Sequence, residues 1–157
     1  METKAICEAL KSRHPDAALE LHAETADPHV AIEGARVPAI LATLRDDPAL
    51  RFDMLQLISG VDRLDRFEVV YHLTSLAHGH RITLKAVVSH DDPHIASVAA
   101  LYPAANWHER ETYDMMGIVF DGHPDFRRIL LPDDWEGHPL RKDYVAPDEY
   151  HGVSNKI

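Results

Sequence analysis

Four prolines, at positions 124, 132, 139 and 147, divide the last forty residues of this chain, Ile118 to Ile157, into short pieces. Proline lacks the amide donor and its ring clashes with the preceding turn, so a helix between them is held to about two turns. The same stretch carries Phe120, Phe126, Trp135, Tyr144, Tyr150 and the run Ile129-Leu130-Leu131 without helical or strand period. That apolar content is too high for a solvated linker, and an extended course has no core of its own in which to bury it. The sequence therefore predicts an extended tail over 118–157, covered by a partner protein, behind a domain over 1–117.

The 157 residues fit one such domain, long enough to bury a core without disulfides or metals. Cys7 is the only cysteine, which excludes an internal disulfide, a thiolate zinc site and an iron–sulfur cluster, and reads as intracellular. A formal charge of −10 argues against nucleic acid and against direct docking on anionic lipid. Met1-Glu2-Thr3-Lys4 has no apolar stretch behind a basic start, so no signal peptide is expected. The longest uncharged run, Ile95 to Trp107, is shorter than the roughly 20 apolar residues that span a bilayer and contains Pro103. Any membrane association would run through another subunit. Twelve histidines make the net charge sensitive to mild acid.

Apolar spacing predicts a helix over Thr3–Arg13 with Thr3 as its cap, stopped by His14-Pro15. Short strands over Leu19–His22 and His29–Glu33 flank an Asp27-Pro28 turn. Pro38 opens a second helix, with Val37, Ile40, Leu41 and Leu44 on one face, that ends near Asp47-Pro48. Strands over Phe52–Ser59, Arg66–Ser75 and Arg81–Val88 follow, joined by turns near Gly60 and His78-Gly79-His80. Helices over Ile95–Leu101 and Trp107–Met116 complete the domain. The fold class is α+β: an antiparallel or mixed β-meander with helices packed on it, followed by the tail.

The seven glycines never form a phosphate loop or a dinucleotide fingerprint. The pairs His78/His80 and His90/His94 have metal-ligand spacing, but Asp92-Pro93 breaks the helix the second pair needs and the first sits at a hairpin tip. Asn106 to Gly117 is the densest polar cluster. Glu109 and Glu111, beside Arg110 and His108, are the candidates for acid–base chemistry. A structural reading accounts for nearly the whole segment: Asn106 and Glu109 as a capping box, Arg110 paired with Asp114, and Gly117 as the stop. In the tail, Arg127-Arg128 and Arg141-Lys142 beside Phe126, Ile129 and Leu140 have the mixture of guanidinium forks and apolar anchors expected of a peptide lying on another protein.

From Trp107 onward the chain resembles the C subunit, or 30 kDa subunit family, of proton-translocating NADH:quinone oxidoreductase, respiratory complex I. The matching residues are Glu109-Arg110-Glu111, Asp114-Met115, Gly117-Ile118, Phe120, Gly122-His123-Pro124, Arg127-Arg128-Ile129-Leu130, Pro132 and Trp135-Glu136-Gly137-His138-Pro139-Leu140-Arg141-Lys142-Asp143-Tyr144. Phe67 to Leu73 resembles the family's strand, while Phe126 and Val145 stand where leucine and proline are usual. The resemblance implies a structural subunit without catalytic, cofactor or metal residues, on the cytoplasmic side of the inner membrane. It would dock on the D subunit of the same complex, with the B and I/G subunits as further candidates, while partner subunits hold FMN and the iron–sulfur clusters. The implied partner interface comprises Glu109, Arg110, Glu111, Asp114, His123, Phe126, Arg127, Arg128, Ile129, Leu131, Trp135, His138, Leu140, Arg141, Lys142, Asp143 and Tyr144. The tail would be mobile in the free chain and ordered on the D subunit. Alternatives are the equivalent subunit of a membrane-bound hydrogenase or other dehydrogenase complex, and a stand-alone acid–base enzyme using Glu109 and Glu111.

Overall fold

The computed structural model describes residues 1–155; Lys156 and Ile157 of the expected tail lie outside them. The element order is α1 (Thr3–Arg13), β1 (Leu19–His22), β2 (His29–Glu33), a 3-10 turn over Gly34–Arg36, α2 (Val37–Asp46), β3 (Met54–Asp62), β4 (Arg66–Thr74) and β5 (Arg81–Ser89). Then come β6 (His94–Ala96), α3 (Ala105–Met116), β7 (Val119–Asp121), β8 (Glu149–Tyr150) and β9 (Val153–Ser154). The class is α+β, as the patterning predicts.

Five strands form one mixed sheet in the order β1-β2-β5-β4-β3. All neighbours are antiparallel except β2 and β5, which run parallel with Val30 opposite Leu84 and Ile32 opposite Ala86. Alternation decides which face is buried: Phe67, Val69, Tyr71 and Leu73 on β4 meet Ile82, Leu84, Ala86 and Val88 on β5, and all eight are buried. Ile6 and Leu10 of α1 and Val37, Ile40, Leu41 and Leu44 of α2 join them in a single core. Each such aliphatic side chain contributes about 1.5–3 kcal/mol by leaving water. The other face keeps Arg66, Glu68, Lys85 and Val87 at least partly open to solvent.

Local expectations fail where a distant partner overrides local preference. The helix expected over Ile95–Leu101 is replaced by β6, paired in parallel with β7 through Ile95 and Phe120, followed by turns. A carboxylate of α3 takes the Ser97 hydroxyl and the Val98 amide, fixing the backbone there in a non-helical course. The expected turn at Gly60 is also displaced. β3 continues to Asp62, whose Oδ1 accepts the Leu64 amide at 2.7 Å, so the turn is made by the residues between β3 and β4 with Leu64 at φ 74°. Thr3 makes no cap, since α1 starts after Glu2 without a side-chain cap bond.

Gly60 instead allows close packing. A Cβ there would lie 3.0 Å from Thr112 Cγ2, 3.1 Å from Ile118 Cδ1 and 3.2 Å from Met116 Cγ, so its missing side chain lets α3 approach β3. Gly60→Val is expected to destabilise the chain by about 1–3 kcal/mol through overpacking, despite valine's better strand propensity. Urea unfolding reads this directly; unchanged stability would mean that α3 shifts freely on the sheet.

Candidate interface: the third helix and the tail bound to it

The sequence-identified cluster lies on α3 and forms no capping box. Ala104 is the N-cap, without a side-chain bond. Glu109, fully buried, reaches the preceding loop, its Oε2 accepting Ser97 Oγ at 2.5 Å and its Oε1 accepting the Val98 amide at 2.7 Å. The equally buried His123 ring lies 3.9 Å away. That ring donates from Nε2 to the Asn106 carbonyl at 3.0 Å and accepts the Asp125 amide on Nδ1. Burial raises the Glu109 carboxyl above the usual range, against the opposing effects of Ser97, Val98 and His123.

Asp114 holds the tail, and the expected Arg110–Asp114 pair gives way to longer-range partners. Asp114 Oδ1 accepts Arg128 Nη1 at 2.6 Å. Its Oδ2 accepts three successive backbone amides, Ile129 at 3.1 Å, Leu130 at 2.7 Å and Leu131 at 2.8 Å. Burial raises its pKa, but these donors prevail and hold it below the ordinary carboxylate range. Arg128 then reaches the Trp135 and Gly137 carbonyls, both at 3.0 Å. Arg110 spreads its fork over the Arg127 and Arg128 carbonyls, at 3.1 Å each, and lies 5.7 Å from the centre of the Trp107 ring.

The end of α3 is closed by the tail as well. Gly117 takes the left-handed conformation, φ 74°, and its amide bonds back to Tyr113 at 2.7 Å. His138 Nδ1 donates to the Asp114 carbonyl at 3.1 Å, the Leu140 amide to Met115 at 3.0 Å and Arg141 Nε to Met116 at 2.6 Å. The last-turn carbonyls, which have no partner within a helix, are thereby satisfied. A Cβ on Gly117 would lie 2.5 Å from His138 Cδ2 and 2.7 Å from Arg141 Nη2, so glycine serves both the turn and the tail's approach. Arg141 also lies over Phe67 at 5.1 Å, and the Lys142 amide donates to Asp62 Oδ2 at 2.9 Å. Phe126 and His138 pack against Tyr113, with ring centres 4.5 and 5.5 Å apart.

The tail is extended as expected, but it finds cover on its own chain. Apart from β7 and the small β8–β9 hairpin, turned by His151 and Gly152 at positive φ, it follows the surface of α3 and the sheet end. Among the sequence-identified interface residues, Glu109, Arg110 and Asp114 are buried inside this arrangement. Phe126, Arg128, Ile129, Leu131, Trp135, His138, Arg141 and Tyr144 are half-buried, as is His123 through its backbone alone, while Glu111, Arg127, Leu140, Lys142 and Asp143 are exposed. Leu130 and Trp107, exposed by 61% and 65%, add apolar surface that the sequence-based site set omits. It also omits Ser97 and Asp62; neither has a local signal, because each answers a partner many residues away. The histidine pairs do not converge as ligands: His78 and His80 bond to the carbonyls of Pro48 and Leu50, and His94 to Asp121.

Comparison with known proteins covers most of the chain. Residues 30–150 match the family described as respiratory-chain NADH dehydrogenase, 30 Kd subunit. The C subunit of NADH-quinone oxidoreductase from Chloroherpeton thalassium is 48% identical over 147 residues, 92% of this chain and 61% of that protein. Its counterpart in Roseiflexus castenholzii is 49% identical over 91% of this chain and 84% of its own length. The chain thus spans about three fifths of the first relative. The solved trypsin-resistant fragment (1-134) of Nqo5 is similar at a TM-score of 0.65 and 31% identity, covering 80% of this chain and 99% of that one. A chain of the membrane-bound sulfane sulfur reductase, an archaeal respiratory membrane complex, shares the fold at a TM-score of 0.74 and 23% identity, over 90% of this chain and 85% of that one.

Two substitutions test the buried carboxylates. Asp114→Ala leaves Arg128 and three amides without their acceptor and is expected to cost about 3–5 kcal/mol, with faster hydrogen exchange at 129–131. Undiminished protection there would show that the tail is held by other contacts. Glu109 has the opposite pH dependence. Its raised pKa means the folded state binds the proton more tightly, so its contribution is full below the ordinary value of 4.5, which holds in the unfolded chain, and is lost as pH rises through the folded pKa. Glu109→Gln should therefore flatten that slope in denaturation curves from pH 4 upward, whereas Glu109→Ala should cost about 1–3 kcal/mol by stranding the Val98 amide.

Proposed function

The chain belongs to the respiratory-chain NADH dehydrogenase 30 Kd subunit family, and we propose that it is a non-catalytic structural subunit of the hydrophilic arm of a proton-translocating NADH:quinone oxidoreductase. In this reading it docks on the D subunit of that complex, with the B and I/G subunits as further neighbours. FMN and the iron–sulfur clusters reside in partner subunits, and electrons pass from NADH to quinone without crossing this chain. Among the described residues no helix is long and apolar enough to cross a membrane. Attachment to the cytoplasmic side of the inner membrane would then be peripheral, through the assembled complex.

The observation that carries the proposal is the division of labour in the tail. Several of its polar groups bond inward to α3, while Leu130 and Leu140 remain 61% and 57% exposed. Apolar side chains held outward on a fixed backbone favour binding, because the cost of ordering that backbone is met before the partner arrives. Leu140 borders a groove with Leu57, Met115 and Glu111 beside β3, and Arg127, Lys142 and Asp143 supply charge around the apolar points. A stand-alone acid–base enzyme fits less well, because Glu109 is sealed within the fold and Glu111 is exposed. The equivalent subunit of a related membrane-bound hydrogenase or dehydrogenase complex remains the second reading. The fold it shares with the archaeal chain is the observation in its favour.

Leu130→Asp with Leu140→Asp separates docking from folding. Both sites are exposed, so the double variant is expected to keep its stability to within about 1 kcal/mol. Co-purification with the D subunit and NADH:quinone activity of the assembled complex should both fall. Co-purification at the parental level would overturn the docking surface, and turnover by the isolated chain would overturn the structural role.

A further inference from the structure

Three side chains of metal-ligating type, from separate parts of the chain, converge where the tail crosses the end of the sheet. Asp62 closes β3, His90 follows β5 and Asp143 lies in the tail, with one ligand atom of each within 4.8 Å of the others. Asp62 is nearly fully buried and Asp143 is exposed, so the cluster has a fixed floor and an open side through which an ion can enter. The floor is pre-oriented: the Asp62 carboxylate accepts the Leu64 amide on Oδ1 at 2.7 Å and the Lys142 amide on Oδ2 at 2.9 Å. Each oxygen retains a second lone pair. The His90 ring lies flat on Phe67, centres 4.6 Å apart and planes 14° apart.

The spacing between these groups is informative. His90 Nε2 stands 3.8 Å from Asp62 Oδ1, beyond hydrogen-bond length. Neither the His90 ring nor the Asp143 carboxylate has a hydrogen-bond partner among the described residues. Two ligands each about 2.1 Å from a shared tetrahedral ion lie roughly 3.4 Å apart, so the Asp62–His90 gap closes around an ion with a shift of a few tenths of an ångström, and the exposed Asp143 side chain, its ligand atom within 4.8 Å of the other two, makes any larger move.

We propose that Asp62, His90 and Asp143 form a site for a divalent transition metal, zinc being the best fit, that fastens the tail to the end of the sheet. One imidazole and two carboxylates supply three ligands, and water completes the tetrahedron. The imidazole favours zinc over magnesium, which takes oxygen ligands. The two backbone amides on Asp62 act as the outer shell that orients a ligating carboxylate. The nearby Lys142 side chain, which interacts electrostatically with Asp62, opposes the ion. Binding is therefore exchangeable and weaker than at a closed four-ligand centre. The positions 62, 90 and 143 are too far apart for any sequence motif to display.

The test uses the full chain stripped with chelator. Calorimetric titration with zinc chloride is expected to give one saturable site, accompanied by a higher melting temperature and slower hydrogen exchange at 140–144; magnesium chloride gives neither. His90→Gln and Asp143→Asn should each weaken zinc binding at least about tenfold, the lower end of what losing even an outer-shell partner costs a metal site. His94→Gln should leave binding unchanged. Absence of saturable binding, or parental affinity in either His90→Gln or Asp143→Asn, would overturn the proposal, the latter by assigning the zinc to other histidines.

Discussion

A helix cannot satisfy its last four carbonyls by itself, and in this protein the tail does it for three of the four in α3. The Tyr113 carbonyl is taken by the Gly117 amide, and those of Asp114, Met115 and Met116 by His138, Leu140 and Arg141. Three of the four donors therefore come from residues more than twenty positions away in sequence. The bonds fix the tail's course and explain why a proline-broken segment can be ordered without regular structure. Several of its backbone donors go to a helix end and to two carboxylates, Asp114 and Asp62, instead of to a ladder.

The two buried carboxylates of α3 act in opposite directions along the chain. Glu109 holds the loop before the helix through Ser97 and Val98, and Asp114 holds the segment after it through Arg128 and three amides. Their electrostatic states differ accordingly. Glu109 has two hydrogen-bond donors and a histidine ring nearby, and burial dominates; Asp114 has four groups donating to its carboxylate, including a guanidinium, and they overcome burial. Glu109, which with Glu111 suggests acid–base chemistry in the sequence, thus serves architecture in the fold, as Asp114 does.

Much of the fold was legible because it depends on periodicity. The alternation in β4 and β5 and the Val37, Ile40, Leu41, Leu44 stripe of α2 each pointed to the buried face. Pro38 and Gly117 marked a helix start and a helix end. What could not be read was pairing across distance. Ile95 to Leu101 has a helical composition, yet β7 and Glu109 claim it. Arg110 and Asp114 have ideal helical spacing, yet each finds a better partner in the tail. The tail's apolar content points to cover by a partner, and no local pattern marks α3 itself as the source of much of the cover it finds.

The parallel pairing of β2 with β5 places a constraint on the order of assembly. β2 ends at Glu33 and its partner begins at Arg81, with α2, β3 and β4 between them. During synthesis, β3 and β4 can close as a hairpin while the β1–β2 pair still has an open edge, and only the arrival of β5 joins the two halves into one sheet. The tail emerges later still, so α3 leaves the ribosome with its final carbonyls hydrated. The nascent chain thus acquires its long-range connections in two separate closures, first of the sheet and then of the helix end.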